Sequence, residues 1–474
     1  MDHRQPALVG ARALPDTTQP SIGRRFMLSL QAADSPRFPT SGFRRWFAER
    51  RKRAFTVSRI PFAELDQWYF EADGGNLRHR TGRFFSIEGL RLEDGDRSGP
   101  DPARPIIVQP EIGTLGILVK EFDGILHCLM QAKMEPGNIG SVQLSPTVQA
   151  TRSNYRRAHG GSRVRYLEHF TRPGHPEVLV DLLQSEHGSY FLHKRNRHMV
   201  VETTADVPEH EDFHWLTLGQ ISRLLRQEHV VNMDARTVLS CIPLEPAAGP
   251  DGAGFPDAVL HSLGPQAAPR HSDAELTGWL TSARAGADGS VRRVPLTATE
   301  ADGWIRGPGS ITRRGGADFA VIAVRAEADN REVPSWTQPL VELTGPAVHA
   351  FIARRLDGML HVLVRASAER GSLNGPELAP TVQCPPGGTA RYLDQVLQAP
   401  PDRVHFDVAQ SEEGGRFHLA RTRNLIVEAE DGFPVDQPEE YRWMTLDQLA
   451  RMTRLGQHVN IQARTLLACA PSVW

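Results

Sequence analysis

The feature that most constrains this chain is that it repeats itself. Phe122-Asp123-Gly124-Ile125-Leu126-His127 returns as Leu356-Asp357-Gly358-Met359-Leu360-His361, and Leu144-Ser145-Pro146-Thr147-Val148-Gln149 returns as Leu378-Ala379-Pro380-Thr381-Val382-Gln383, both 234 residues later. Gln109-Pro110 has a counterpart in Gln338-Pro339. Gln184-Ser185-Glu186 matches Gln410-Ser411-Glu412 at a spacing of 226, so the second copy is shorter in between. Trp215-Leu216-Thr217-Leu218 pairs with Trp443-Met444-Thr445-Leu446, and Val231-Asn232 with Val459-Asn460. This many matches in one order mean a tandem duplication, so both halves must settle into one fold.

Within a copy, Ile117-Leu118-Val119 and Ile125 to Met130 flank Asp123-Gly124, a hairpin signature. Val178 to Leu183 and His198 to Glu202 read as further strands, and Leu218, Ile221, Leu224 and Leu225 keep helical spacing after a cap at Thr217. Antiparallel strands with one or two packed helices give an α+β module. Residues 244–272, rich in Pro, Gly and Ala, read as a linker. The organisation expected is a flexible arm over 1–40, an N-terminal module over 41–243, the linker, and a diverged C-terminal module over 273–474. Arg24-Arg25-Phe26-Met27-Leu28 resembles the start of an export signal, but Gln31, Asp34 and Pro36 interrupt the apolar run that such a signal needs.

Composition sets outer limits. A net charge of −2 gives no overall pull on nucleic acid, and the basic run Arg44 to Arg53 is expected to be a solvated helix face. Mean hydropathy is −0.37 and no run approaches the ~20 apolar residues that cross a bilayer, so no membrane is expected. Four scattered cysteines make no disulfide framework, which suits a cytoplasmic protein.

Neither GxxxxGK[ST] nor GxGxxG is present, which leaves nucleotide hydrolysis and nicotinamide chemistry unsupported, and no cofactor is expected. His210-Glu211-Asp212-Phe213-His214 satisfies the zinc motif HExxH, yet it lies in a polar connector after Pro208, and the other copy has Pro438-Glu439-Glu440-Tyr441-Arg442 there. The informative stretch runs from Gln131-Ala132-Lys133-Met134-Glu135-Pro136-Gly137-Asn138 to Thr151-Arg152-Ser153-Asn154-Tyr155. It concentrates cations, a carboxylate, a phenol and amides near strand ends, where scaffolds expose reactive groups. Arg152 could fork onto a diphosphate, and Tyr155 could stack on a base or donate to a sugar oxygen.

Comparing the copies sharpens this. The second copy keeps the scaffold phrases but has Ser367 for Lys133, Ser372 for Asn138, Ala420 for Lys194 and Gln462 for Asp234, and it runs from Gln383 into Cys384-Pro385-Pro386 without the Arg-Ser-Asn-Tyr phrase. A fold needs its apolar and turn residues twice, whereas chemistry needs its polar set once. The working site is therefore expected in the first copy. His127 and His361, Asp181 and Asp407, and Glu186 and Glu412 persist in both, which favours structural roles.

The phrases around Lys133 and Arg152, together with Lys194-Arg195-Asn196-Arg197, resemble the NDP-hexose 2,3-dehydratases of deoxysugar and antibiotic biosynthesis, a likeness running from about Phe43 to the C-terminus. The resemblance implies two Nudix-like modules, with mixed or antiparallel sheets and packed helices, only one of them catalytic. It also implies a homodimer, a dTDP-linked 4-keto-6-deoxyhexose as substrate, and a 3-ketoreductase that takes the unstable product. No R-E-x-x-E-E helix occurs, so no metal site for pyrophosphate cleavage is expected. On this basis Glu135 is the expected base, Lys133 the electrostatic stabiliser and Tyr155 the acid, with Glu186 and Asp181 as alternative bases. Arg152, Ser153, Asn154, Thr147, Gln149, Lys194, Arg195 and Arg197 are the expected substrate contacts. The competing readings are a non-catalytic sugar-nucleotide-binding protein and a metal-dependent NDP-sugar hydrolase.

Overall fold

In a computed structural model, residues 20–94, 102–151, 164–171, 177–247, 254–265, 269–287, 289–328 and 334–474 are described. Each half contributes a seven-stranded mixed sheet. In the N-terminal half, Gly113–Phe122 and Ile125–Met134 form the expected hairpin, with Asp123 and Gly124 both at positive φ (51° and 78°). Both residues of a type I′ turn require that conformation. Arg195–Glu202 pairs parallel to the first of these strands, and Glu177–Ser185 closes the edge. The C-terminal half repeats this with Ala347–Leu356, Met359–Ser367, Arg421–Glu428 and Val404–Ser411. Residues 113–119 are buried without alternation because the sheet is covered on both faces.

On one face, helices from both halves pack into a single apolar core that includes Ile117, Cys128, Ile221, Val238, Phe351, Val362, Leu449 and Leu466. Leu218–Leu225 begins with the expected Thr217 cap, reinforced by Gln220, and Leu446–Arg454 repeats this with Thr445 and Gln448. Met233–Leu239 and Ile461–Cys469 are capped by Asn232 and Asn460.

Two expectations about boundaries need correction. The segment read as a flexible arm contains the helix Ile22–Gln31, capped by Ser21, because Phe26, Met27 and Leu30 give it an apolar stripe that is buried in the core. Its Arg25 pairs with Glu202 and Glu121. The segment read as a linker contains the helix Phe255–Ser262, which occupies the same place in the second half. Ser29 donates to the Leu126 carbonyl and accepts from Leu218 N–H, and Ser262 does the same with Leu360 and Leu446. The repeat therefore begins near residue 21 rather than 41.

The halves are also interlaced. Phe55–Ile60 pairs with Phe319–Ala328 of the second half, and its counterpart Gly289–Val294 pairs with Ser86–Asp94 of the first, so each half donates a strand to a small sheet of the other. Further in, Ile107 N–H donates to the Tyr190 carbonyl and Val341 N–H to that of Arg416. This equates Ile107 with Val341, so the match of Gln109-Pro110 to Gln338-Pro339 is out of structural register.

The halves also meet backbone to backbone where Gly137 N–H donates to the Gly414 carbonyl (2.7 Å) and Leu419 N–H to the Gly137 carbonyl (2.9 Å), mirrored by Gly371 with Gly188 and His193. A Cβ on Gly137 would overlap the Phe417 carbonyl, and one on Gly371 the Phe191 carbonyl. Backbone cannot yield as a side-chain tip can. Gly137→Ala is therefore expected to cost several kcal/mol, by about the 1–3 kcal/mol of overpacking or more. Gly278→Ala, in an exposed helix interior with open space around it, should gain roughly 0.5–1 kcal/mol. Chemical denaturation of the two variants checks the pair, and equal effects would contradict the interlacing.

Candidate active site

The hairpin strand Ile125–Met134 ends where the halves meet, so Glu135 is carried against the C-terminal half at Gly414 and Gly415. Glu135 is 7% exposed. Its Oε1 accepts from Gln149 Nε2 (2.9 Å) and faces Lys133 Nζ (3.3 Å), while Oε2 is buried with no partner. Gln149 is held in turn by Asn232 Nδ2 (3.3 Å), the residue whose Oδ1 caps the next helix. That cap fixes Asp234 in the first turn of the helix, buried beside the same group.

Glu186 accepts from Asn196 Nδ2 (2.7 Å) and also leaves Oε2 buried and unpartnered. Lys194 Nζ donates to the Glu111 carbonyl. From the other half come Glu413 and Arg416, the latter bound to Gln109 Oε1 and lying over Phe85. A Cβ placed on Gly415 would sit 3.1 Å from Glu413 Oε1 and 3.4 Å from Glu135 Oε1, so the two carboxyls both border this glycine.

Charge crowding follows from this geometry. Burial, then Glu413, Glu186 and Glu135, hold the Asp234 carboxyl well above the usual range, against the pull of Lys133. Burial and the neighbouring Glu186 and Glu135 push Glu413 up to about 7, opposed by Arg416 and Lys194. Burial lowers Lys194, with Glu186 and Glu413 acting the other way.

The second half shows what the same frame looks like at rest. There Glu369 Oε1 accepts from Ser189 Oγ (2.7 Å), Gln383 Nε2 (2.9 Å) and Gln462 Nε2 (3.1 Å), and Oε2 accepts from Gly188 N–H (2.8 Å). Both oxygens are satisfied, so taking up a proton would break a hydrogen bond. In the first half Ser189 is replaced by Gly415 and Gln462 by Asp234, which removes two donors from around Glu135. Where the first half sets Glu186 near Glu413, the second sets Glu412 2.8 Å from His187 Nε2, a buried ion pair in which the carboxyl is held down at about 2.

The profile of the family described as NDP-hexose 2,3-dehydratase matches residues 40–242 and 273–470, most of the chain. The chain belongs to the NDP-hexose 2,3-dehydratase family. It is 48% identical over 459 residues to the dTDP-4-dehydro-6-deoxy-α-D-glucopyranose 2,3-dehydratase of Amycolatopsis orientalis, covering 94% of this chain and 93% of the relative. Enzymes of the same name from Saccharopolyspora spinosa (47% over 465 residues, 95% of each chain) and Streptomyces violaceoruber (48% over 440 residues, 91% of this chain and 96% of the relative) are equally similar.

For a 2,3-dehydratase, the expected residues divide clearly. Lys133, Glu135, Gln149, Glu186 and Lys194 converge. Arg152, Ser153, Asn154 and Tyr155 lie outside the described residues. Asp181 is instead engaged on an exposed strand face by both Arg197 Nε (2.6 Å) and NH2 (2.5 Å), and Asp407 with Arg423 repeats that pair, which marks a cross-strand brace. Arg195 alternates onto the same face as Arg197, away from Asn196. Thr147 sits at the bend between the strands Val142–Ser145 and Val148–Ala150 and braces the sheet: its hydroxyl accepts from Leu118 N–H and donates to the Leu129 carbonyl, as Thr381 does with Ile352 and Leu363.

His127 is likewise structural, held by Ser35 and the Ile125 carbonyl. The HExxH segment turns at Glu211 and Asp212 and enters the strand Phe213–Leu216, with His214 stacked on Trp46, so the helix a zinc protease needs is absent there. The basic run lies on the helix Thr40–Arg51 and beyond, but it is less free than expected, since Arg50 and Arg53 hold Glu211 and Asp212. A cavity of about 760 Å³ in the second half is lined by Arg421, Arg423, Asp407 and Thr344.

Glu413, Asp234 and Arg416 were not among the expected site residues. Asp234 differs visibly from Gln462, but Glu413 sits in the half judged inactive. Comparing each copy's loop with the other's site, rather than its own, would have found it.

The raised Glu413 carboxyl has a consequence for stability. With a folded pKa of about 7 against an ordinary 4.5, the folded protein holds a proton that the unfolded chain releases, so stability falls as pH rises from about 4.5 to 7. Glu413→Gln is expected to melt higher than the parent at pH 8, with the difference vanishing near pH 4.5. Melting curves across that range check it, and a constant or reversed difference would contradict the crowding.

Proposed function

We propose that the N-terminal site dehydrates a dTDP-linked 4-keto-6-deoxyglucose across C2 and C3. The observation that carries this reading is the buried, unpartnered Oε2 of Glu135 beside Lys133, set against the fully bonded Glu369. An elimination of this kind needs a base with a free lone pair in a dry site and a cation for the developing enolate. Glu135 takes the C3 proton, which the C4 ketone acidifies. Lys133 stabilises the enolate, and the C2 hydroxyl leaves with a proton. The enol that remains rearranges to the 3,4-diketo-2,6-dideoxy sugar, with no net oxidation. Glu186 and Lys194 border the site as substrate contacts or as an alternative base, and Gln149 holds Glu135 in place. A cytoplasmic homodimer that passes the diketone to a 3-ketoreductase completes the reading.

Incubation with dTDP-4-keto-6-deoxyglucose should give a diketone lighter by one water, which a trapping 3-ketoreductase with its hydride donor converts to a 2-deoxy product lighter than the substrate by one oxygen atom. Lys133→Ala should lower kcat by about 10²–10³, the loss typical of removing one electrostatic stabiliser. Bound but unchanged substrate would favour the non-catalytic reading, and magnesium-dependent release of nucleoside monophosphate the hydrolase.

A further inference from the structure

We propose that Glu413, delivered across the seam by the C-terminal half, is the acid that protonates the departing C2 hydroxyl, on the same face of the sugar as Glu135. The inference rests on the substrate reading above. In a glucopyranose ring the C3 hydrogen and the C2 hydroxyl project from one face, so base and acid must approach from the same side, about one carbon–carbon bond apart. Glu135 and Glu413 are placed to act as such a pair, since the Oε1 atoms of both lie beside Gly415, 3.4 and 3.1 Å from where a Cβ there would sit, and Glu135 keeps its Oε2 without a protein partner.

Gly415 leaves the place beside Glu135 without a side chain, whereas the serine at the corresponding place in the other half, Ser189, bonds Glu369. The Oε2 atoms of Glu135 and Glu186 are both buried without a protein hydrogen-bond partner. Glu413 replaces the His187 of the other half, exchanging a buried contact with Glu412 for a carboxyl among carboxyls. Burial, with Glu186 and Glu135, favours retention of a proton on Glu413, while Arg416 and Lys194 limit it, which pushes the group up to about 7.

The step balances. The C3–H bond breaks and its proton passes to Glu135, while the electron pair moves into the C4 carbonyl. As the enolate collapses, C2=C3 forms and C2–O breaks, the oxygen taking the Glu413 proton and leaving as water. The C3 enol then returns its hydroxyl proton to Glu413 as C2 takes one from Glu135, which restores both groups and leaves the 3-ketone.

Two readouts separate the steps. In deuterated water, exchange at C3 reports deprotonation alone, and mass reports loss of water. Glu413→Gln should keep C3 exchange while dehydration falls by about 10²–10⁴, the usual span for general acid catalysis. It should also release fluoride from the 2-deoxy-2-fluoro substrate at close to the parent rate, because fluoride leaves without a proton. Glu135→Gln should lose exchange and both eliminations. Glu413→Asp, which keeps the carboxyl, should recover part of the dehydration and guards against a folding defect.

Dehydration by Glu413→Gln at the parent rate would overturn the proposal, as would parallel loss of exchange and elimination in the folded variant. Uncoupling by Tyr155→Phe in its place would overturn it too. If the parent itself neither exchanges C3 nor dehydrates, the substrate reading fails and the assignment falls with it.

Discussion

Everything in this chain depends on the reciprocal grip between its halves. Each half inserts a Gln-Ser-Glu phrase into the other. Gln184 donates to the Thr453 carbonyl and Gln410 to that of Leu225, while the buried Arg236 reaches the Ser411 carbonyl and the buried Arg464 that of Ser185. A hydrogen bond from a charged donor contributes about 1.5–3 kcal/mol, and a guanidinium buried this deeply could not persist without such acceptors. The exchanged strands and the two glycine contacts extend the grip outward. The duplication thus produced one interlaced body rather than two modules in a row.

That grip explains how one copy can hold the chemistry while the other cannot be discarded. The second half's loop forms a wall of the first half's site, so its Gly415, Glu413 and Arg416 face Glu135 and Glu186. The first half's loop does the same in return, but with Ser189 and His187. Serine and histidine satisfy the carboxylates they meet, whereas glycine and glutamate leave them wanting. The asymmetry between the fully bonded Glu369 and the partly bonded Glu135 comes down to donors present on one side and missing on the other.

Much of this was legible in the sequence. The hairpin turns, the Thr217 cap and the α+β character follow from local chemistry, and the duplication from direct comparison. Lys133 and Glu135 stood out because the first copy keeps both with a polar neighbourhood that the second lacks. What stayed hidden was relational. Phe26 and Leu30 lie in a short stripe between Pro- and Arg-rich flanks, and their helix is decided by a tertiary surface that the local pattern does not display. Asp181 and Arg197 looked functional because charge was counted without knowing that they brace each other. Glu413 was missed because strand and loop exchange moves a residue from one repeat into the site of the other, which no comparison of like with like reveals.

The proposed single centre in the N-terminal half, with its unsatisfied glutamate, is tested by comparing turnover of Glu135→Gln and Glu369→Gln on dTDP-4-keto-6-deoxyglucose, normalised to folded protein. Glu135→Gln should abolish dehydration with little change in melting, while Glu369→Gln should turn over at a rate close to that of the parent. Comparable loss in both, or retained turnover in Glu135→Gln, would contradict it.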